Sequence, residues 1–272
     1  MIPIIFDGRK YADEKESSLA IRVLGLKTRG VYPKLASILI GNNPSGLAYL
    51  ELKKKAAERI GAEADIYLIK ENTNLDDLLL LIKTLNEDET VQGIMIQMPL
   101  PDSMKSAEPK ILSAILSEKD VDGLNENSDF LHPTSKAILQ VVEEAKKANP
   151  FKPESTTVAV VGATGMVGTP LVKELKKEGY KVIECNTKTL DLKSETLKAD
   201  ILVSVTGKAG IITFDMIKKG AVVIDVGYPK GDIDMESFKG KDPKAISFLS
   251  PVPGGVGPVT ITCLLENLIN AC

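Results

Sequence analysis

Short apolar runs alternate with helical stretches along the whole chain, and this alternation restricts the possible folds more than any other feature. The runs are apolar without interruption, which is typical of strands that are buried on both faces. Such strands with helices between them predict an α/β fold with parallel sheets covered by helices. The expected strands cover residues 35–40, 64–69, 91–96, 157–162, 181–186, 200–205 and 221–227.

A change in composition divides the chain. Residues 143–156, EEAKKANPFKPEST, are polar and come directly before the apolar run TVAVVG. We expect a helix to end there and a second α/β unit to begin, and 272 residues suit two modest domains. The predicted domains are 1–138 and 139–257, and the last helix, about 258–272, is expected to pack back on the first domain.

Charge and hydropathy exclude several classes of protein. The formal net charge is −3 and the isoelectric point about 5.5, so the sequence has no strongly basic character of the kind that binds nucleic acid. No apolar run is long enough to cross a bilayer, and the N-terminal residues lack the pattern of a signal peptide. We expect a cytoplasmic protein with neither nucleic-acid nor membrane partners.

Cysteine and histidine are scarce. Cys185, Cys263 and Cys272 are widely spaced, which favours reduced thiols over a disulfide framework or a zinc site. His132 is the only histidine, so a set of several imidazole metal ligands is excluded. We predict no metal site, and the chemistry must come from other side chains, the backbone or a bound cofactor.

The segment VAVVGATGMVGTPLVKEL predicts a strand, a glycine turn and a helix. Gly162, Gly165 and Gly168 are three residues apart, unlike the common G-x-G-x-x-G spacing. Glycines at this spacing are also found in simple tight turns, but the strand before and the helix after favour a pyrophosphate site at the helix N-terminus. The Glu184 carboxylate is positioned to accept from the ribose hydroxyls of NAD, whereas Asn186, Thr187 and Lys188 could bind the 2′-phosphate of NADP. The sequence leaves the choice between the two cofactors open.

The helical stretch AYLELKKKAAERIG carries a tyrosine followed by three lysines. Tyr49 and Lys53 are four residues apart and share a helix face, whereas Lys54 and Lys55 point elsewhere. Taken alone, this stretch is typical of a solvated helix with one packing tyrosine.

Three further stretches carry a resemblance: QGIMIQMPLP (92–101), EKDVDG (118–123) and SPVPGGVGPVT (250–260). With GATGMVGTP and VVIDVG they closely resemble the methylenetetrahydrofolate dehydrogenase/cyclohydrolase (FolD-type) family. The resemblance implies two parallel-sheet α/β domains, the first binding folate and the second a Rossmann-type NAD(P) domain, with a cleft between them. It implies oxidation of methylenetetrahydrofolate with NADP rather than NAD, hydrolysis of the methenyl product to 10-formyltetrahydrofolate, and a homodimer formed through the cofactor domain.

The resemblance also assigns residues. Lys53 is expected to act as acid or base once burial or a nearby cation lowers its pKa, Tyr49 to orient it, Gln97 to hold its ammonium, and Asp122 to bind the pterin. The expected substrate contacts are Tyr49, Gln97, Pro99, Leu100, Asp122, Pro253 and Gly254. The expected cofactor contacts are Gly162, Ala163, Thr164, Gly165, Val167, Gly168, Asn186, Thr187, Thr206, Gly207, Tyr228 and Gly255.

The chain departs from the family pattern at three places. Gly46 stands where many members carry serine, and Ala163 where many carry an arginine for the 2′-phosphate. LHPTSKA replaces Pro-Cys-Thr-Pro-x-Gly, although Thr134 is retained. Two alternatives remain: a dehydrogenase resembling shikimate dehydrogenase, which would use a Lys-Asp pair, and a non-catalytic nucleotide sensor with the same fold.

Overall fold

The computed structural model describes residues 3–242 and 245–272, which form two compact units. The six-stranded unit contains residues 1–11 and 134–260, and the three-stranded unit contains residues 12–133 and 261–272. Within the described ranges, no helix is long and apolar enough to cross a membrane.

The three-stranded unit is built on a parallel sheet with the order β3-β2-β4. Apolar clusters cover both faces of the sheet, so the central strand β2 is buried over nearly its whole length. The strands are β2 (Lys34–Ile40), β3 (Glu63–Ile69) and β4 (Gly93–Ile96); the helices are α1 (Gly8–Lys27, which begins in the other unit), α2 (Pro44–Arg59), α3 (Leu75–Glu87) and α4 (Glu108–Ser113), with a 3₁₀ helix at Asp102–Ala107.

Local sequence explains where two of these helices begin. Asn43 accepts a hydrogen bond from the Gly46 N–H, and Pro44 occupies the first turn of α2. Asn74 caps α3 in the same way by accepting from the Asp77 N–H. Asparagine caps and an early proline satisfy or remove the free N–H groups of a first helical turn. The start of α2 in turn fixes which of its residues face the sheet.

The six-stranded unit contains a fully parallel sheet with the order β1-β9-β8-β7-β5-β6. The chain crosses from β6 back over β5 to β7, which makes the ends of β5 and β7 a topological switch point. The strands are β1 (Ile4–Ile5), β5 (Thr157–Val161), β6 (Lys181–Cys185), β7 (Ile201–Ser204), β8 (Ala221–Asp225) and β9 (Ile246–Ser250). The helices are α5 (Pro133–Ala148), α6 (Gly168–Lys177), α7 (Leu192–Thr196) and α8 (Val256–Asn270, which ends in the other unit), with 3₁₀ helices at Pro153–Ser155, Phe214–Met216 and Met235–Phe238.

The predicted α/β fold with parallel sheets is confirmed, and each of the seven expected strands forms within two residues of its expected bounds. Two strands, β1 and β9, were not predicted. Because β1 pairs with β9, the first eleven residues belong to the six-stranded unit rather than to the first predicted domain. The units divide between Pro133 and Thr134, and residues 261–272 belong to the three-stranded unit.

Candidate active site and dinucleotide site

Helix α2 buries one of its three consecutive lysines. The Lys53 side chain is 5% exposed, and its Nζ lies 4.7 Å from the centroid of the Tyr49 ring, one helical turn earlier. At this distance the ring attracts the ammonium through a cation–π interaction. Lys54 is half-buried and Lys55 is exposed. The sequence pattern therefore places one lysine alone in an enclosed environment.

Strand β4 provides the other partners of this lysine. The Lys53 ammonium donates to Gln97 Oε1 at 3.1 Å and lies 3.5 Å from Met95 Sδ. The Gln97 Nε2 donates to the Met98 carbonyl at 2.9 Å, which holds the amide with its oxygen towards the lysine. Met95 was not among the predicted site residues; it lies two positions before Gln97, and alternation along a strand could have placed both on one face.

Burial lowers the pKa of Lys53 below its ordinary value of 10.5, because the low-dielectric surroundings disfavour the ammonium. The Asp122 carboxylate opposes this change and raises the Lys53 pKa, but the burial effect is larger. A neutral amine is therefore accessible at a lower pH than for a solvated lysine. The site thus holds a base beside a carboxylate and an amide.

His132 belongs to the same charged environment, although no role was predicted for it. Its side chain is 8% exposed, and burial lowers its pKa. The Asp122 carboxylate opposes that effect, and the Lys53 ammonium adds to it. The electrostatic fields of Lys53, Asp122 and His132 therefore overlap, and the imidazole is favoured in its neutral form.

A second carboxyl group lies near Asp122. Asp120 is 1% exposed and accepts a hydrogen bond from the Asn125 N–H at 2.8 Å. Burial raises its pKa to about 6, since the hydrogen bonds compensate only part of the lost hydration. Asp120 was not predicted, because a buried acid and a turn acid look alike in the motif DVDG.

The predicted substrate residues are divided between the two units. Tyr49, Lys53, Gln97 and Asp122 share the three-stranded unit, and Pro99 and Leu100 follow Gln97 there. Leu100 packs in the core at 3% exposure, whereas Pro99 is exposed. Pro253 and Gly254 belong to the six-stranded unit.

The glycine turn of the six-stranded unit follows β5 at the switch point. Gly162 has a φ of 96°, which strains any residue with a Cβ, and a Cβ on Gly168 would lie 2.1 Å from the Gly162 carbonyl oxygen. The Gly162 and Ala163 N–H groups both donate to the Cys185 carbonyl, at 2.9 and 3.0 Å, which joins the turn to the end of β6. The turn therefore needs glycine at both ends.

The other predicted cofactor residues lie beyond the ends of neighbouring strands. Because all six strands are parallel, these segments meet at one edge of the sheet, where α/β ligands bind. Asn186 and Thr187 follow β6, Thr206 and Gly207 follow β7, Tyr228 follows β8, Gly255 follows β9, and Thr164, Gly165 and Val167 lie in the glycine turn.

Comparisons with known proteins match both parts of the chain. The family model for the tetrahydrofolate dehydrogenase/cyclohydrolase catalytic domain covers residues 6–122. The model for the tetrahydrofolate dehydrogenase/cyclohydrolase NAD(P)-binding domain covers residues 132–272. The chain belongs to the tetrahydrofolate dehydrogenase/cyclohydrolase family. The resemblance read from the motifs is thereby confirmed.

Relatives within this family match over the full length. The bifunctional protein FolD of Exiguobacterium sibiricum is 39% identical, with 98% of this chain and 99% of that protein covered. The crystal structure of FolD from Campylobacter jejuni is 35% identical with a TM-score of 0.89, covering 98% of this chain and 97% of that one. The Trypanosoma brucei FolD structure, complexed with NADP and an inhibitor, is 28% identical with a TM-score of 0.89, covering 99% and 97%.

The alternative of a shikimate dehydrogenase is not supported. The shikimate dehydrogenase of Aquifex aeolicus is 16% identical with a TM-score of 0.54, covering 89% of this chain and 93% of that one, which is a likeness of fold alone.

In this member of the folate enzyme family, a buried aspartate braces one predicted cofactor residue. Asp232 Oδ2 accepts hydrogen bonds from the Thr206 N–H at 2.7 Å, the Thr206 hydroxyl at 2.9 Å and the Ser204 hydroxyl at 2.7 Å. Asp232 is fully buried and was not predicted, because it lies in the loop after β8, far from Thr206 in sequence.

The two ribose candidates differ in their surroundings. Glu184 is exposed, and its carboxylate accepts from the Lys176 ammonium of α6 at 2.5 Å. Asn186 comes directly after β6, where Cys185 is joined to the glycine turn, and it organises its own loop by accepting from the Lys188 N–H at 2.8 Å. The carboxylate is thus occupied by a salt bridge, whereas the Asn186 loop lies next to the turn.

Proposed function

We propose that Lys53 is the acid/base group of this enzyme, which is a methylenetetrahydrofolate dehydrogenase and methenyltetrahydrofolate cyclohydrolase. The observation that carries the proposal is the enclosed ammonium of Lys53, held 3.1 Å from Gln97 Oε1 with a lowered pKa. A group titrating closer to the working pH is what general acid–base catalysis requires.

The two reactions place different demands on the protein. Oxidation moves a hydride from the folate methylene carbon to the bound nicotinamide, which NADP supplies, and it depends mainly on positioning. Hydrolysis adds water to the methenyl carbon, and a first proton leaves that water. A second proton is delivered to the ring nitrogen as its bond to this carbon breaks, and the remaining hydroxyl proton goes to solvent as the formyl C=O forms. Neutral Lys53 accepts the first proton and its ammonium delivers the second, so only hydrolysis depends strictly on titration of Lys53.

The three-stranded unit is the proposed folate-binding catalytic domain. Asp122 is a suitable acceptor for the amino group and ring N–H of a pterin, which present donors side by side. Tyr49 and Gln97 hold the ammonium of Lys53 in place. Pro99 and Leu100 are proposed contacts for the rest of the substrate, and Pro253 and Gly254 are proposed substrate contacts in the six-stranded unit.

The six-stranded unit is the proposed NADP-binding domain. The start of the ten-residue helix α6, directly after the glycine turn, suits a pyrophosphate. Asn186, Thr187 and Lys188 are the proposed contacts of the 2′-phosphate, since Glu184 is paired with Lys176. The Trypanosoma brucei relative with bound NADP supports this choice over NAD, even though Ala163 supplies no arginine.

A homodimer formed through the cofactor domain is also proposed. Strand β6 is an edge of the six-stranded sheet, and the large apolar side chain of Leu190, just beyond it, is fully exposed. Edges and apolar groups of this kind are commonly covered by a second copy. Sedimentation at micromolar concentration tests this; a monomer would contradict it.

A cytoplasmic location is proposed from the cysteines. Cys185 and Cys263 are buried thiols and Cys272 is an exposed thiol, and none of the three is in a disulfide, which suits a reducing compartment. Cell fractionation with an antibody against the chain tests this; recovery in the extracellular or membrane fraction would contradict it.

The experiment that tests the catalytic proposal compares Lys53→Met with Lys54→Met. Purified protein is mixed with methylenetetrahydrofolate and NADP, and the methenyl absorbance is followed as it forms and decays. Lys53→Met should lower cyclohydrolase activity by roughly two to four orders of magnitude, as expected for loss of one general acid/base. Dehydrogenase activity should fall less, and the KM for NADP should stay unchanged.

Lys54→Met is the matched control on the same helix, because it removes a neighbouring ammonium from another face. It should stay within about twofold of wild type, since isolated surface charges contribute little. Full cyclohydrolase activity in Lys53→Met, or equal losses in both variants, would overturn the proposal.

A further inference from the structure

A buried asparagine of helix α8, Asn267, contacts the loop that carries Asp122. The Asn267 side chain is 1% exposed, and its Nδ2 donates to the Val121 carbonyl at 2.9 Å and to the Leu131 carbonyl at 3.0 Å. These carbonyls belong to the residues directly before Asp122 and His132. One carboxamide therefore joins the two backbone segments that hold the charged neighbours of Lys53.

The two segments also touch each other directly. Gly123 has a φ of 64°, and a Cβ there would lie 2.5 Å from the Phe130 carbonyl oxygen and 2.7 Å from the His132 nitrogen. The Gly123 N–H donates to the Asp120 carbonyl at 3.1 Å, and the Ser128 hydroxyl donates to the same oxygen at 2.9 Å. The loop is thus tied internally, and the Asn267 carboxamide ties it to α8.

We propose that Asn267 is a positioning residue that sets the place of the Asp122 carboxylate for substrate binding. Without the carboxamide, the Val121 and Leu131 carbonyls lose a donor, and the Asp122 turn is free to shift towards other donors or water. A displaced carboxylate meets the substrate poorly, so the KM for the folate rises while the NADP site is untouched. This inference rests on the proposed role of Asp122.

The test measures steady-state kinetics of dehydrogenase activity for Asn267→Ala in the full-length enzyme. We expect the KM for methylenetetrahydrofolate to rise roughly tenfold, with the KM for NADP within twofold of wild type. Two controls lie on the same helix. Asn270→Ala removes a surface amide that accepts from Arg22 at 2.7 Å, and Leu264→Ala removes a buried core side chain; both should keep the folate KM.

Leu264→Ala also separates positioning from stability. If it destabilises the protein as much as Asn267→Ala but leaves the folate KM unchanged, loss of stability does not explain the rise. A folate KM that rises equally in both variants would overturn the inference.

A double variant decides whether Asn267 acts through Asp122. If Asp122→Asn alone raises the folate KM and Asn267→Ala then adds little, the inference is supported. If Asn267→Ala adds its full factor on top of Asp122→Asn, the inference fails while the role of Asp122 stands. If Asp122→Asn alone leaves the folate KM unchanged, the proposed role of Asp122 fails and the inference with it.

Discussion

The sites of the two units are built from different groups: side chains in the three-stranded unit and backbone in the six-stranded unit. In the three-stranded unit, the site consists of side chains: burial lowers the pKa of Lys53 and of His132, and the Asp122 carboxylate opposes both changes. In the six-stranded unit, the glycine turn consists of backbone, and its shape depends on the absence of side chains. A site that holds a cofactor in place needs shape and N–H groups, whereas a site that moves protons needs a group with an altered pKa.

The largest effect that separates the two sites should come from Gly168→Val. Its Cβ would lie 2.1 Å from the Gly162 carbonyl oxygen, so the turn must open. We expect the KM for NADP to rise by roughly two to three orders of magnitude, since a misplaced binding group loses most of its contacts. Cyclohydrolase activity measured on added methenyltetrahydrofolate should persist.

Gly165→Ala is the matched control within the same turn. Its Cβ would meet the Gly162 oxygen at 3.4 Å, and the residue has no positive φ, so the change in KM should stay within about threefold. Equal effects of both variants would show that the glycine spacing is not what shapes the cofactor site.

The next largest effect is on the free energy of unfolding and comes from the titration of Asp120. Its folded pKa of about 6 lies above the ordinary 3.8, so the folded state keeps a proton that the unfolded state has lost between these pH values. Stability therefore falls as the pH rises through this window, by up to about 3 kcal/mol. Asp120→Asn removes the titrating group and should remove that slope.

Urea unfolding followed by circular dichroism at several pH values between 3.5 and 8, on the order of one pH unit apart, measures this slope. Asp129→Asn, an exposed acid of the same loop, is the control and should keep the wild-type pH dependence. Identical slopes for wild type and Asp120→Asn would contradict the account.

The smallest of these effects concerns the amide that holds the lysine. Gln97→Leu removes the acceptor of the Lys53 ammonium, which destabilises the charged form and lowers its pKa further. We expect cyclohydrolase kcat to fall about tenfold, the usual order for one hydrogen bond to a charged group. Gln92→Leu, a glutamine that accepts from the Lys34 N–H at 2.9 Å, is the control. If Gln92→Leu lost activity and Gln97→Leu kept it, the hydrogen bond to Lys53 would not explain the effect.

Much of the fold was accessible from local patterns. Apolar runs predicted seven strands because strands buried on both faces leave no polar interruption. β1 was missed because two residues are too short a signal, and β9 because it directly precedes a segment rich in proline and glycine. The pairing of β1 with β9 is a long-range contact, so no local pattern shows that residues 3–11 belong to the six-stranded unit.

The site residues also fall into two groups: those that local sequence features indicate and those that depend on long-range packing. The four-residue spacing of Tyr49 and Lys53 and the position of Gln97 after a strand are local features, and family motifs assigned them roles. The lowered pKa of Lys53 results from burial of its side chain, and the sequence alone does not show that burial. Asn267 contacts carbonyls 146 and 136 residues away in sequence, so its contribution depends on packing of α8 that no local pattern shows.

The central claim is that a buried Lys53 with a lowered pKa carries the hydrolysis, and the pH dependence of cyclohydrolase kcat tests it most directly. Wild type should show a rise in kcat with pH whose midpoint lies below 10.5, as Lys53 becomes neutral. Lys54→Met and His132→Gln should keep this rise, and the residual activity of Lys53→Met should lack it. A wild-type profile without the rise, or a rise that persists in Lys53→Met, would contradict the account.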